Sequence, residues 1–153
     1  MSSLKRGPAL DLVIQVNAMQ ARAARKLDMR LGSLHGIGFG DFVILRALRD
    51  AREVYRQLDL ARQLHLSPSG LTRALIPLEK IHLIERERDA RDARISRVRL
   101  TETGRRIVDD AEETAREACE QLFAGIPLRD LRAVAGLLDD AGSISERSSK
   151  ASA

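Results

Sequence analysis

Two apolar rows at helical spacing meet across four residues, and that junction limits what this chain can fold into more than any other segment. Leu58, Leu60, Ala61 and Leu64 form one face of a short helix over residues 57–64. After His65-Leu66-Ser67-Pro68 the row resumes with Leu71, Ala74, Leu75, Leu78 and Ile81. Serine is a preferred N-cap, and proline at the first helical position has no amide hydrogen to leave unsatisfied. A second helix therefore starts at Ser67 or Pro68 and runs to about Lys80. Two helices joined by so tight a turn form a helix-turn-helix candidate. The second one carries Ser69, Thr72, Arg73, Ile76 and Lys80 opposite its apolar row, a face free to enter a groove.

The flanking segments read as further helices and one hairpin. Residues 10–31 place apolar side chains at helical spacing, with Arg22, Arg25, Lys26 and Arg30 off the row, which predicts a long amphipathic helix. Residues 32–40 alternate glycine with other residues; they follow a helix and not a strand, so they read as a flexible connector and not as a phosphate-cradling loop. Phe42, Leu45 and Leu48 mark a short helix over residues 41–49. Alternation over 83–88 and 95–100 brackets a polar turn at 89–94, a two-stranded hairpin with a charged tip. Thr101 caps a helix reaching Phe123, ended by Gly125 and Pro127; a last helix covers 128–140, and the Ser-rich residues 142–153 read as a disordered tail.

Composition narrows the function classes. The 153 residues suit one domain, with 44% hydrophobic and 31% charged residues. At 3% aromatics the chain has too few platforms for a base-stacking, RNA-binding sheet. The single Cys119 forms no internal disulfide, and the three histidines lack zinc-ligand spacing. No metal or cofactor is expected, and no nucleophile, base and orienter stand at recognisable spacing, so an enzyme is not expected. The N-terminal apolar stretch is interrupted too soon to be a signal or a membrane span. The net charge is +4, and it is localised: residues 54–106 hold 12 Lys+Arg against 7 Asp+Glu, whereas the remainder holds 14 against 15.

Particular residues carry a resemblance. Leu60-Ala61, Leu66-Ser67-Pro68-Ser69, Leu71-Thr72-Arg73, Leu78-Glu79-Lys80, Leu83-Ile84, Asp92-Ala93-Arg94 and Leu100-Thr101-x-x-Gly104 resemble the MarR family, over roughly residues 10–138. The resemblance implies a mainly α fold, a winged helix-turn-helix at residues 41–100 with a two-stranded β wing, and N- and C-terminal dimerisation helices at 10–31 and 102–140. It further implies a homodimer that binds palindromic double-stranded DNA as a transcriptional repressor and releases it on meeting a small phenolic or anionic effector or an oxidant; the single cysteine fits a reducing, cytoplasmic home, and nothing in the sequence targets a membrane. The rival reading is a winged-helix protein-interaction module without specific DNA binding. The chain departs from the family at His65 and His82, where glycine is common in left-handed turns, and at Pro77, which predicts a kink near the end of the recognition helix.

The candidate DNA-contacting residues are Ser67, Ser69, Thr72, Arg73, Ile76 and Lys80 on the second helix and Arg88, Arg91, Asp92, Arg94 and Arg97 on the wing. Arg73 can fork to guanine O6 and N7, Ser69 and Thr72 can reach bases or phosphates, and Ile76 can touch a thymine methyl. Arg94 resembles the family's wing arginine that meets the backbone or minor groove, and Asp92 the acidic residue that holds the wing's shape. The wing's crowded arginines admit a second reading, a self-contained salt-bridge cluster. Asn17 and His35 are the candidates to line an effector cleft between the dimer base and the reading head. Cys119 reads as a small packing residue at the dimer interface and not as a redox sensor.

Overall fold

The computed structural model describes residues 7–51 and 54–151, with side chains through Ser143. Helix α1 spans Pro8–His35, entered through Pro8 in its first turn and closed by Gly36, whose left-handed backbone (φ 70°) lets its N–H reach the Gly32 carbonyl at 3.1 Å. The helix therefore absorbs half of the expected flexible connector. A lone glycine costs a helix only about 1 kcal/mol, and Gly32 is followed by Ser33, which bonds back to the Arg30 carbonyl at 3.2 Å. What remains is short and held: Ile37 is buried, and the N–H groups of Gly38 and Phe39 donate to Asp41 Oδ2 at 3.0 Å and Asp28 Oδ1 at 2.7 Å. Those carboxylates close the start of α2, Phe39–Asp50, where a helix N-terminus favours negative charge.

A strand the sequence reading lacks comes next: β1, Tyr55–Arg56. Two residues cannot show an alternation, so nothing local announces it. Helix α3, Gln57–Gln63, and helix α4, Pro68–Lys80, form the helix-turn-helix, with Ser67 Oγ accepting from the Gly70 N–H at 3.0 Å as N-cap. Strands β2, Ile84–Arg88, and β3, Ser96–Leu100, make the hairpin, paired Ile84 with Leu100 and Arg88 with Ser96. β1 lies antiparallel on the far side of β3, Tyr55 opposite Val98 and Arg56 opposite Arg97, so the expected two-stranded wing belongs to a three-stranded sheet ordered β1-β3-β2.

Helix α5, Glu102–Leu122, begins against that sheet. Thr101 Oγ1 accepts from the Gly104 N–H at 2.9 Å and donates to the His82 carbonyl at 2.8 Å. A Cβ on Gly104 would lie 2.0 Å from the Leu83 carbonyl oxygen, which is why the Thr101-x-x-Gly104 pattern requires glycine there. Helix α6 runs over Leu128–Ala151, beyond the expected stop at Asp140. The segment read as a disordered tail is helical backbone as far as Ala151: Gly142 alone cannot end a helix, and no proline follows it.

The described chain forms two compact units, divided between Cys119 and Glu120 within α5. The first holds the core. Leu31, Leu45, Leu60, Leu71, Leu75 and Val98 are fully enclosed there, each burial contributing about 1.5–3 kcal/mol. In the second, residues 128–143 are exposed apart from the partly buried Leu131. No single described helix is long and apolar enough to cross a membrane; α1 and α2 reach that length only as a pair bent by 74°.

Candidate nucleic-acid interface

Helix α4 is pinned by one face. Leu71, Leu75 and Leu78 are at most 1% exposed, so rotation about the helix axis is closed off and the opposite row must point outward. Ser69, Arg73, Ile76 and Lys80 are exposed on that row, while Thr72 is partly buried. Ile81, grouped with the packing face in the sequence reading, is 52% exposed because the helix ends one residue before it. Pro77 breaks nothing: α4 continues through its last turn to Lys80, with Pro77 there lacking only the hydrogen bond it cannot donate to Arg73.

The two turns that bound α4 are built alike. After α3 the N–H of His65 reaches the Arg62 carbonyl and that of Leu66 the Ala61 carbonyl; after α4, His82 reaches Glu79 and Leu83 reaches Leu78. This is the Schellman arrangement, which needs a left-handed residue just past the helix. His65 and His82 supply it at φ 53° and 59°, where glycine would be unstrained.

The wing's arginines divide by partner. Arg86 places Nε and Nη2 on Glu79 Oε2 at 2.9 and 2.5 Å, tying β2 to α4, and holds the Glu79 carboxyl below its ordinary range. Arg99 pairs with Glu85 at 2.6 Å. Arg97, a candidate DNA contact, donates Nε to Asp89 Oδ2 at 2.6 Å. Asp89 folds the tip as well: its other oxygen accepts the N–H groups of Arg91 at 2.9 Å and Asp92 at 3.2 Å. The Arg91 amide first, then Arg97 and the Asp92 amide, hold its carboxyl below the usual range. Asp92 contributes a smaller turn, Oδ1 accepting the Arg94 N–H at 3.0 Å. That leaves Arg88, Arg91 and Arg94 exposed at the tip; the Arg94 side chain is 95% exposed, with only a 3.9 Å approach to Asp92.

Gln57, read from the sequence only as the first residue of a helix, joins the two halves of the interface. Its Nε2 donates to Thr72 Oγ1 at 2.7 Å and its Oε1 accepts from Ser96 Oγ at 3.1 Å. The Thr72 hydroxyl donates to the Pro68 carbonyl at 2.9 Å, so this residue braces α4 more than it reaches outward. Beside it, a groove of about 390 Å3 opens between α3 and the wing, with Arg56, Arg62 and Arg94 on its walls.

The proposed effector residues are not brought together. Asn17 is exposed on α1, and His35 lies 18 residues further along the same helix, about 27 Å at the helical rise. His35 is not in a loop; its Nε2 bonds at 2.8 Å with Thr114, a buried polar residue of α5. Cys119 is partly buried, and burial pushes its thiol up, with Lys26 pulling weakly the other way, the opposite of what a reactive thiolate needs. Among the described residues no group of three or more His, Cys, Asp or Glu is placed to hold a metal ion.

Comparison with known proteins bears on the same segment. The sequence model of the MarR family matches residues 40–96, from α2 to the first residue of β3. An uncharacterized HTH-type transcriptional regulator of Bacillus subtilis, YdgJ, is 27% identical over 112 residues, 73% of this chain and 68% of that protein. The transcriptional regulator BldR from Sulfolobus solfataricus superposes with a TM-score of 0.76 at 26% identity, covering 96% of this chain and 99% of that one. A mutant of MarR from E. coli, crystallised with operator DNA, shares the fold at a TM-score of 0.78 and 22% identity, over 87% of this chain and 94% of its own. The helix-turn-helix and the wing as far as Ser96 fall within the match to the MarR family model, and the chain as a whole shares the winged helix-turn-helix fold of the transcriptional regulators it superposes on.

Proposed function

We propose that the chain is a cytoplasmic homodimeric repressor that binds a palindromic operator in double-stranded DNA. The observation that carries this reading is the pairing of two outward elements in one compact unit: the exposed row Ser69, Arg73, Ile76 and Lys80 on a helix that cannot rotate, and the exposed arginines at the wing tip. A helix of this kind fits the major groove, where Arg73 reads guanine, while Arg94 meets phosphate or a narrow minor groove. Ser67 is engaged as the N-cap, Thr72 as a brace and Arg97 with Asp89, so they serve the interface by shaping it. Asp92 shapes the tip in the same way.

The homodimer is supported by apolar rows without a partner in the described chain. Leu10, Val13 and Ile14 of α1 are 60%, 64% and 57% exposed, and Leu128 and Leu137 of α6 are 61% and 69% exposed. Exposed rows of this size mark interaction surfaces, and residues 10–31 and 102–140 are accordingly the dimerisation helices. Release by a small phenolic or anionic effector rests on the family resemblance alone, since Asn17 and His35 stand about 27 Å apart along α1.

Competition binding tests the reading, using a duplex selected by the protein from a random library against an unselected duplex, each at several salt concentrations. Arg73→Ala should cost about 1–3 kcal/mol on the selected duplex and less on the other. Selected half-sites should lie about one helical turn apart. Equal losses on both duplexes would exclude base reading by Arg73, and no loss with either Arg73→Ala or Arg94→Ala would favour a protein-interaction module. A well-folded monomer in sedimentation would exclude the homodimer.

A further inference from the structure

The wing and the recognition helix belong to different elements, yet a DNA duplex must meet both at once. Two ties connect them among the described residues. One is the ion pair of Arg86 with Glu79, which meets the hairpin at the middle of β2. The other passes through Gln57. It lies at the far end of β3, at Ser96, opposite Arg88, where strand gives way to tip.

The hydrogen bonds through Gln57 run in one direction. Ser96 Oγ donates to Gln57 Oε1, Gln57 Nε2 donates to Thr72 Oγ1, and Thr72 Oγ1 donates to the Pro68 carbonyl. Having given its hydrogen to Pro68, Thr72 can only accept, so the amide nitrogen and not the amide oxygen must face it. Ser96 must then donate. No group in the chain has a second way to satisfy its neighbours without breaking a bond elsewhere. The strand β1 places this residue: because Arg56 pairs with Arg97, the next residue, Gln57, comes level with Ser96 just as the chain turns into α3. All three side chains are partly buried, where such bonds compete less with water.

We infer that Gln57 is the positioning residue that sets the aim of the wing tip relative to α4, so that Arg94 meets the duplex while Arg73 is seated in the groove. This inference rests on the DNA-binding reading above. It assigns Gln57 no contact with DNA; it acts through Ser96 on the tip and through Thr72 on the helix.

The test is a double-mutant cycle on the full-length protein, with the library-selected duplex and an unselected one as probes. Gln57→Ala and Ser96→Ala cut the chain of bonds from its middle and from its wing end. Each should weaken binding to the selected duplex by about tenfold, the scale of one lost charged contact, and lower the log-log salt slope toward that of Arg94→Ala. In the Arg94→Ala background either change should add little, because the contact it positions is already gone. Thermal melts of every variant establish that the proteins compared are folded; Ser96→Ala keeps the test intact if Gln57→Ala is not. Losses that add fully to Arg94→Ala, or an unchanged salt slope, would overturn the inference and leave the DNA-binding reading standing. If Arg73→Ala and Arg94→Ala themselves leave binding to both duplexes unchanged, the DNA-binding reading fails and takes this inference with it.

Discussion

The base and the tip of the wing use the same residue type in different ways. On the strands below the tip, Arg86, Arg97 and Arg99 each end on a carboxylate, Glu79, Asp89 and Glu85, the Asp89 that Arg97 meets being the first residue of the tip. At the tip, Arg88, Arg91 and Arg94 stand exposed, and Asp92 approaches Arg94 only to 3.9 Å. Three of the hairpin's six arginines are thus neutralised within the protein and hold its shape, so arginine density overstates the charge available to a phosphate. The salt-bridge cluster and the DNA-facing patch, rival readings of one stretch of sequence, describe its two ends.

Changes at the base should alter the fold, and changes at the tip should alter binding alone. The largest effect is expected from Gly104→Ala, which drives a methyl group into the Leu83 carbonyl at the foot of the wing. It should destabilise the protein by about 3 kcal/mol, the upper range of overpacking, read as a lowered midpoint in thermal unfolding. Arg94→Ala is the opposite case: the salt slope of DNA binding should fall by about one unit per lost phosphate contact, with the melting midpoint unchanged. A lowered midpoint for Arg94→Ala would erase the distinction.

A smaller effect of opposite sign is expected at the turn entering the wing. His82→Gly relieves a left-handed non-glycine residue and should raise stability by up to about 1 kcal/mol, measurable by denaturant titration. The smallest concerns acid. Asp89 has its carboxyl held below the usual range in the folded protein, so its contribution is complete above the unfolded value of about 3.9 and is lost as pH falls through the lower folded value. Exchange of the Arg91 and Asp92 amides should quicken over that window beyond the ordinary pH trend, and Asp89→Asn should remove the excess.

How far the sequence foretold these features follows from the range of the physics involved. Helix α4 was legible because its signals are local: the Ser67 cap, Pro68 in the first turn and an apolar row at one spacing. The left-handed turns at His65 and His82 were legible for the same reason. Gln57 was not, since its partners lie 15 and 39 residues away and glutamine carries no pattern of its own. Asp89 and Asp92 look alike in sequence, and only the folded tip shows that Asp89 takes two amides and Arg97. His35 and Thr114, 79 residues apart, are joined only by the fold. Strand β1 has no cue in two residues; its existence depends wholly on the edge that β3 offers.

The carboxylate of Asp28 has a consequence for the order in which the protein opens. It belongs to α1, yet it closes the first turn of α2, accepting the N–H of Phe39 across 11 residues. That amide can exchange its hydrogen with solvent when the exposed Asp28 carboxylate swings away, when α1 lifts from its place or when α2 frays. Where α2 remains folded, the exchange rate of one backbone hydrogen at Phe39 therefore reads the hold of α1 on the start of α2, with the amides of Phe42 and Ile44 inside α2 as its reference.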